Sequence, residues 1–87
     1  MKKAVEFAEH ATVLNPTRVD AFHLLGYLLV LSNDPHRGLG MLEKAKLMNN
    51  LGASVILLED LAKASIRTGN LNQSVLYVEE AFENGSR

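Results

Sequence analysis

The chain has no cysteine, no tryptophan and only two prolines among its 87 residues. Without cysteine there is no disulfide, no thiolate nucleophile and no cysteine-based metal site. An excess of one charge is also missing. Nine Lys and Arg stand against ten Asp and Glu, a formal net charge of -1. A nucleic-acid binder carries a basic stripe or net positive charge. Here Lys2–Lys3 and the pair Lys63 and Arg67 amount to ordinary solvated charge, so no nucleic-acid partner is expected. No uncharged apolar run approaches the roughly 18 residues of a membrane span, and no membrane insertion is expected. The opening stretch MKKAVEFAEHA is broken by Glu6, Glu9 and His10, which argues against a signal-peptide core. A cytoplasmic location is the expectation.

What the chain does have is a 47% apolar fraction, spread at helical rather than strand spacing. That suits a single small domain over 1–87, near the lower size limit for burying a core unaided. Residues 2–14 place Val5, Ala8, Ala11 and Thr12 on one side. Asn15-Pro16 ends this segment, because the residue before proline avoids the helical region. Thr17 is expected to cap a second helix over 18–31, with Asp20 completing a capping arrangement. Phe22, Leu25, Gly26 and Leu29 are its expected core face. Asp34 and Pro35 start a third helix, running to Met48 and carrying Leu39, Leu42, Ala45 and Leu47. Gly38 and Gly40 each cost about 1 kcal/mol of helix propensity there and ask for a packing reason.

A turn is read at Asn49-Asn50-Leu51-Gly52, then a fourth helix capped by Ser54 and running to Arg67, with Leu57, Leu58, Leu61, Ala62 and Ile66. Gly69 closes it in the left-handed conformation. A fifth helix over 71–83 carries Val75, Leu76, Val78, Ala81 and Phe82, and residues 84–87 are expected to fray.

Small residues recur along this pattern. Ala4-x3-Ala8-x2-Ala11, Gly38-x3-Leu42-x2-Ala45 and Ser74-x3-Val78-x2-Ala81 follow one another at offsets of 34 and 36 residues. Phe22-x2-Leu25-Gly26-x2-Leu29 and Leu58-x2-Leu61-Ala62-x2-Ser65 are again 36 apart. A period in this range marks stacked helical repeats. The pattern resembles the tetratricopeptide repeat (TPR) family, whose unit reads W-x2-L-G-x2-Y, then A-x3-F, then P. Phe22, Leu25, Gly26 and Leu29 take the first places, with Phe for Trp and Leu for Tyr. Gly38, Leu42 and Ala45 match the second helix, and Asn50 stands where the closing proline would be. Asn33-Asp34 and Gly69-Asn70 resemble the family's turn within a repeat. Ala4, Ala8, Ala11 and Pro16 fit the end of a preceding repeat. An unrelated five-helix bundle with recurring alanines is the competing reading.

The resemblance implies an all-α fold: a five-helix, right-handed TPR-like solenoid of antiparallel helix pairs. One helix over 2–14 would be followed by repeats at 18–48 and 53–83. The first helix of each pair lines a concave surface in that family. The implied surface is Asp20, His23, Leu24, Tyr27, Val30 and Leu31 on the second helix, facing Ile56, Glu59, Asp60, Lys63, Ile66 and Arg67 on the fourth. The expected partner-binding residues are His23, Leu24, Tyr27, Val30, Leu31, Glu59, Lys63 and Arg67. Only Lys63 and Arg67 are basic, which disfavours a clamp for a terminal carboxylate and favours a protein or peptide with apolar anchors. As the back half of a repeat, the first helix lacks a partner. Val5, Phe7, Ala8 and Ala11 are therefore an expected open edge for a missing-helix subunit or a homo-oligomer.

Catalytic patterns are weak. His10, His23 and His36 share no helical face, and no HExxH motif occurs. Glu59-Asp60 and Glu79-Glu80 are adjacent pairs that point apart on a helix, unlike carboxylates facing across a cleft. Ser54, Ser65 and Ser74 have no histidine base arrangement, and Gly38-x-Gly40 lacks the strand and lysine of a phosphate loop. No cofactor is expected. The sequence reads as a non-enzymatic adaptor or chaperone-like module.

Overall fold

A computed structural model describes residues 2–48 and 54–85. Five helices occupy them: α1 (Lys2–Leu14), α2 (Val19–Leu31), α3 (Pro35–Met48), α4 (Val55–Arg67) and α5 (Leu71–Gly85). No strand occurs among the described residues. None of these helices is long and apolar enough to cross a membrane. The expected turn at 49–52, with Asn50 in the proline position, lies outside the described residues. Asn84 and Gly85 continue α5 rather than fraying, while Ser86 and Arg87 lie outside the description.

Helices α2 and α3, and again α4 and α5, are joined by the same turn. The amide of Asn33 donates to the Val30 carbonyl at 3.2 Å, and that of Asp34 to Leu29 at 2.9 Å. The amide of Gly69 donates to Ile66 at 3.0 Å, and that of Asn70 to Ser65 at 2.8 Å. Both pairs of bonds close a helix in the Schellman manner, which needs a left-handed residue. Asn33 and Gly69 supply it, with φ of 68° and 83°. The next helices start alike, with Gly38 donating to Asp34 at 3.0 Å and Ser74 to Asn70 at 3.1 Å. Ser54 caps α4 as expected, its Oγ accepting from the Leu57 amide at 3.1 Å.

Thr17 does not cap α2. Pro16 and Thr17 instead occupy a turn closed by Arg18 donating to the Asn15 carbonyl at 3.1 Å. The helix starts one residue later than expected, and its N-terminal flank, Arg18, makes no capping bond. An arginine has no side-chain acceptor to offer.

The helices form two layers. Each packs on the next in sequence, and α2 also meets α4 directly. Polar side chains tie the odd-numbered helices to one another. Arg37 meets Glu9 at 3.3 Å between α3 and α1, and Lys46 meets Glu80 at 3.6 Å between α3 and α5. His23 and Asp60 tie the even-numbered α2 and α4 at 2.7 Å. A thickness of 15 Å along the shortest axis suits two layers whose axes lie about 8–10 Å apart.

The main core joins Phe22, Leu42, Ala45, Leu57, Leu58, Leu61 and Ala81 across the second to fifth helices. A smaller cluster of Ala8, Leu25 and Leu29 seals α1 onto α2. Gly38 has the packing reason it asked for. A Cβ there would lie 2.6 Å from Val30 Cγ2 and 2.8 Å from the Gly26 carbonyl oxygen, so α2 and α3 touch backbone to side chain. Gly40 has none: among the described residues nothing lies within 4 Å of a Cβ at that position.

Five apolar expectations fail. Leu47 is exposed on α3, and on α5 Val75, Leu76, Val78 and Phe82 face outward. The inward residues of α5 are Ser74, Tyr77 and Ala81. Helix α3 lies between α2 and α4, so it buries residues on two sides. Helix α5 packs its backbone on α4 and meets α3 through side chains, Tyr77 on Glu43 and Glu80 on Lys46, while Val78 is left exposed.

Candidate protein-binding groove

Between α2 and α4 runs an open channel made of two adjoining cavities. One, of about 410 Å³, lies toward the C-terminal ends of both helices, between Tyr27, Val30 and Leu31 on one side and Lys63, Ile66 and Arg67 on the other. Leu42 of α3 forms part of its floor. The second, of about 510 Å³, lies toward the N-terminal ends, between Asp20, His23 and Leu24 and the opposing Ile56 and Glu59. Tyr27, Asp60 and Lys63 border both. All eight residues expected from the sequence to contact a partner therefore line one channel. Ile66, Ile56, Asp20 and Asp60 line it with them.

They do not contribute alike. Leu24, Tyr27 and Leu31 are 50%, 44% and 47% exposed. They follow one another at spacings of three and four, which puts them on one helical face beside the core stripe. That stripe is already spent on Phe22, Leu25, Gly26 and Leu29, all buried. Such a helix is apolar over more than one face, and the second face is left to solvent. Val30 differs from its neighbours. It is only 9% exposed and packs against Gly38, so it is channel floor and core at once rather than a free contact.

The opposite wall is charged. Glu59, Lys63 and Arg67 are exposed on α4. Ile66, 55% exposed, interrupts the charges with an apolar side chain. His23 and Asp60 cross the channel at 2.7 Å with the His Nε2 and Asp Oδ2 in hydrogen-bonding contact. Both are part-buried, and the pair forms a polar strut joining the two walls.

The expected open edge on α1 is only partly open. Ala8 is buried against Leu25 and Leu29, and Val5 packs on the same cluster. Ala11 is half-buried. The reason is that α2 covers this side of α1 itself. Phe7 is different, at 79% exposure; it borders a shallow surface with Lys3, Glu6 and His10. On α5 the exposed apolar residues include Leu71, Val75, Val78 and Phe82.

The most perturbed ionisable group lies away from the channel. Burial, and then the nearby Glu43 carboxylate, raise the Tyr77 phenol above its usual 10.0. Its hydroxyl donates to Glu43 at 3.5 Å. This contact between α3 and α5 was not visible in the sequence pattern. Its available signal was the spacing of Ser74, Tyr77 and Ala81, which fits a helical stripe as well as Ser74, Val78 and Ala81 do.

The histidines stay apart: His10 and His36 are exposed on different helices and His23 is held by Asp60. Among the described residues no three His, Asp or Glu side chains gather in a metal-ligating arrangement. Compared with known proteins, the chain matches no family model, no curated protein and no solved structure.

Proposed function

We propose that this chain is a non-enzymatic protein-interaction module, adaptor or chaperone-like, that holds an amphipathic helix of a partner protein in the channel between α2 and α4. In this reading the helix pairs form a right-handed TPR-like solenoid and the channel is its concave face. The observation that carries it is the exposure of Leu24, Tyr27 and Leu31 in a row along the channel. Exposed apolar side chains in a concave strip, rimmed by charge, are what an amphipathic helix covers. Tyr27 is the anchor we would test first, because a tyrosine combines large apolar area with a polar tip and dominates many interfaces. The repeated turns at Asn33 and Gly69 support the repeat reading. The test is capture of a partner by the immobilised chain and by Tyr27→Ala. We expect the substitution to lower affinity at least about tenfold with the helical circular dichroism unchanged. Equal capture by both would overturn the assignment.

A second reading has its own observation. Phe7 on α1 and Phe82 on α5 are 79% and 77% exposed, which gives the two flanks of the molecule apolar surfaces of their own. The chain would then be a structural subunit that assembles through those flanks. Light scattering over a range of concentrations tests it, and a strictly monomeric chain would overturn it.

A further inference from the structure

We infer that the channel fixes the direction of its occupant: it takes an amphipathic helix running antiparallel to α2 and α4, acidic in the occupant's first turn and basic in its last. The inference rests on the groove reading above and adds the charge order of the partner.

The two helices lining the channel run the same way. Residues near the start of α2 share one cavity with residues near the start of α4, and residues near both ends share the other. Charge is distributed unevenly along that common direction. Asp20 and Glu59 border the cavity at the helix starts. Arg67 borders the one at the helix ends, and Lys63 lies between the two and borders both. Asp60 touches both but is held by His23 at 2.7 Å. Asp20 lies 3.7 Å from Arg18, with both side chains largely exposed. Among the described residues Glu59, Lys63 and Arg67 make no ion pair. The channel is therefore more negative where its walls begin and more positive where they end, with Arg67 at the far end and Lys63 between the two cavities.

Apolar anchors are placed at both ends too. Leu24 and Ile56 border the negative end, Leu31 and Ile66 the positive end. Leu24 and Leu31 are seven residues apart, about 10 Å along a helix. An occupant helix lying along the channel would match them with apolar residues at i and i+7 on one face.

The direction follows from electrostatics on both partners. A helix prefers acidic side chains in its first turn and basic ones in its last, because its backbone dipole is positive at the N-terminus and negative at the C-terminus. A helix of that ordinary kind meets Lys63 and Arg67 with its acids, and Asp20 and Glu59 with its bases, only when it runs antiparallel to α2 and α4. Turned around, it sets like charges against each other at both ends, which selects against that orientation.

Two synthetic helical peptides test this. They share composition and a pair of leucines seven residues apart, and each is cross-linked within one turn to equalise helicity. One has glutamates first and lysines last; the other has the order exchanged. Fluorescence anisotropy is measured at low salt against the full chain and against the triple variant Glu59→Lys, Lys63→Glu, Arg67→Glu. All three positions are exposed, and circular dichroism checks the fold. The full chain is expected to bind the acid-first peptide about fivefold tighter, as several exposed ion pairs acting together would give. The triple variant is expected to prefer the other peptide. Equal affinity for both peptides, or the same preference in the variant, would overturn the directional inference and leave the groove standing. If neither peptide binds, the groove reading falls and the direction falls with it.

Discussion

The two helix pairs are built on one plan and finished with different chemistry. Their turns close with the same hydrogen bonds at positions 36 residues apart. Yet α2 touches α3 through Gly26 and Gly38, whereas the corresponding positions of α4 and α5 are Ala62 and Ser74. The walls they contribute to the channel differ as well. Helix α2 presents Leu24, Tyr27 and Leu31 where α4 presents Asp60, Lys63 and Arg67 at the matching offsets. The backbone plan thus sets where the groove is. Side chains decide that one wall supplies apolar area and the other supplies charge, a division that suits affinity on one side and selectivity on the other.

The largest way to break the comparison is at the glycine contact. Gly38→Ala sets a methyl group 2.6 Å from Val30 Cγ2 and 2.8 Å from the Gly26 carbonyl. We expect it to destabilise the fold by about 2 kcal/mol, overpacking outweighing the gain in helix propensity. Urea unfolding measures this, and a stabilised protein would contradict the packing described for α2 and α3.

Next is the turn. Gly69 holds a φ of 83°, and Gly69→Ala is expected to cost about 1 kcal/mol because a Cβ disfavours that conformation. Gly69→Asn, which installs the residue used at position 33, should cost only a few tenths of a kcal/mol. Equal costs for the two substitutions would show that the turns are not equivalent.

Gly40→Ala should act in the opposite sense to Gly38→Ala, although both lie on α3. The open space around position 40 leaves only the propensity gain, up to about 1 kcal/mol.

The smallest effect concerns Tyr77, which has no aromatic counterpart at the matching position of α3, Met41. Its raised pKa, caused by burial and then Glu43, means that the native state keeps the phenol proton after the unfolded state has lost it. The stability associated with Tyr77 is full below pH 10.0 and falls as pH rises from there through the native pKa. Ultraviolet titration should show Tyr77 ionising above the normal tyrosine range in the folded chain. Ionisation at the unperturbed value would contradict its burial.

Much of this architecture was legible because it depends on local rules. Pro16, Pro35, Ser54 and Gly69 punctuate the helices by restricting backbone angles or offering a cap, and each acts within a few residues. The core face of α2 was legible for the same reason, since Phe22, Leu25 and Leu29 share a helical stripe. The inward face of α5 was not. Repeat register puts Val78 in the place of Leu42, but Leu42 is covered by neighbours on two sides and Val78, 55% exposed, is not. The choice depends on how many helices flank α5, and no local pattern encodes that number. Ala8 differs in the opposite direction: an unpartnered α1 would leave it open, but α2 alone suffices to bury so small a side chain. In the channel, the residues on α2 and α4 are those that the repeat resemblance implies, and helical spacing by itself points only to Leu24, Tyr27 and Leu31. The strut between His23 and Asp60 could not, because the two residues are 37 positions apart and nothing in either helix alone points to the other.

The most direct measurement is nuclear magnetic resonance mapping of a bound amphipathic peptide on the isotopically labelled chain. The account predicts amide shifts concentrated at Leu24, Tyr27, Leu31, Lys63 and Arg67, with the outer faces of α1 and α5 undisturbed. Shifts concentrated around Phe7 or Phe82, with the α2 and α4 channel silent, would contradict it.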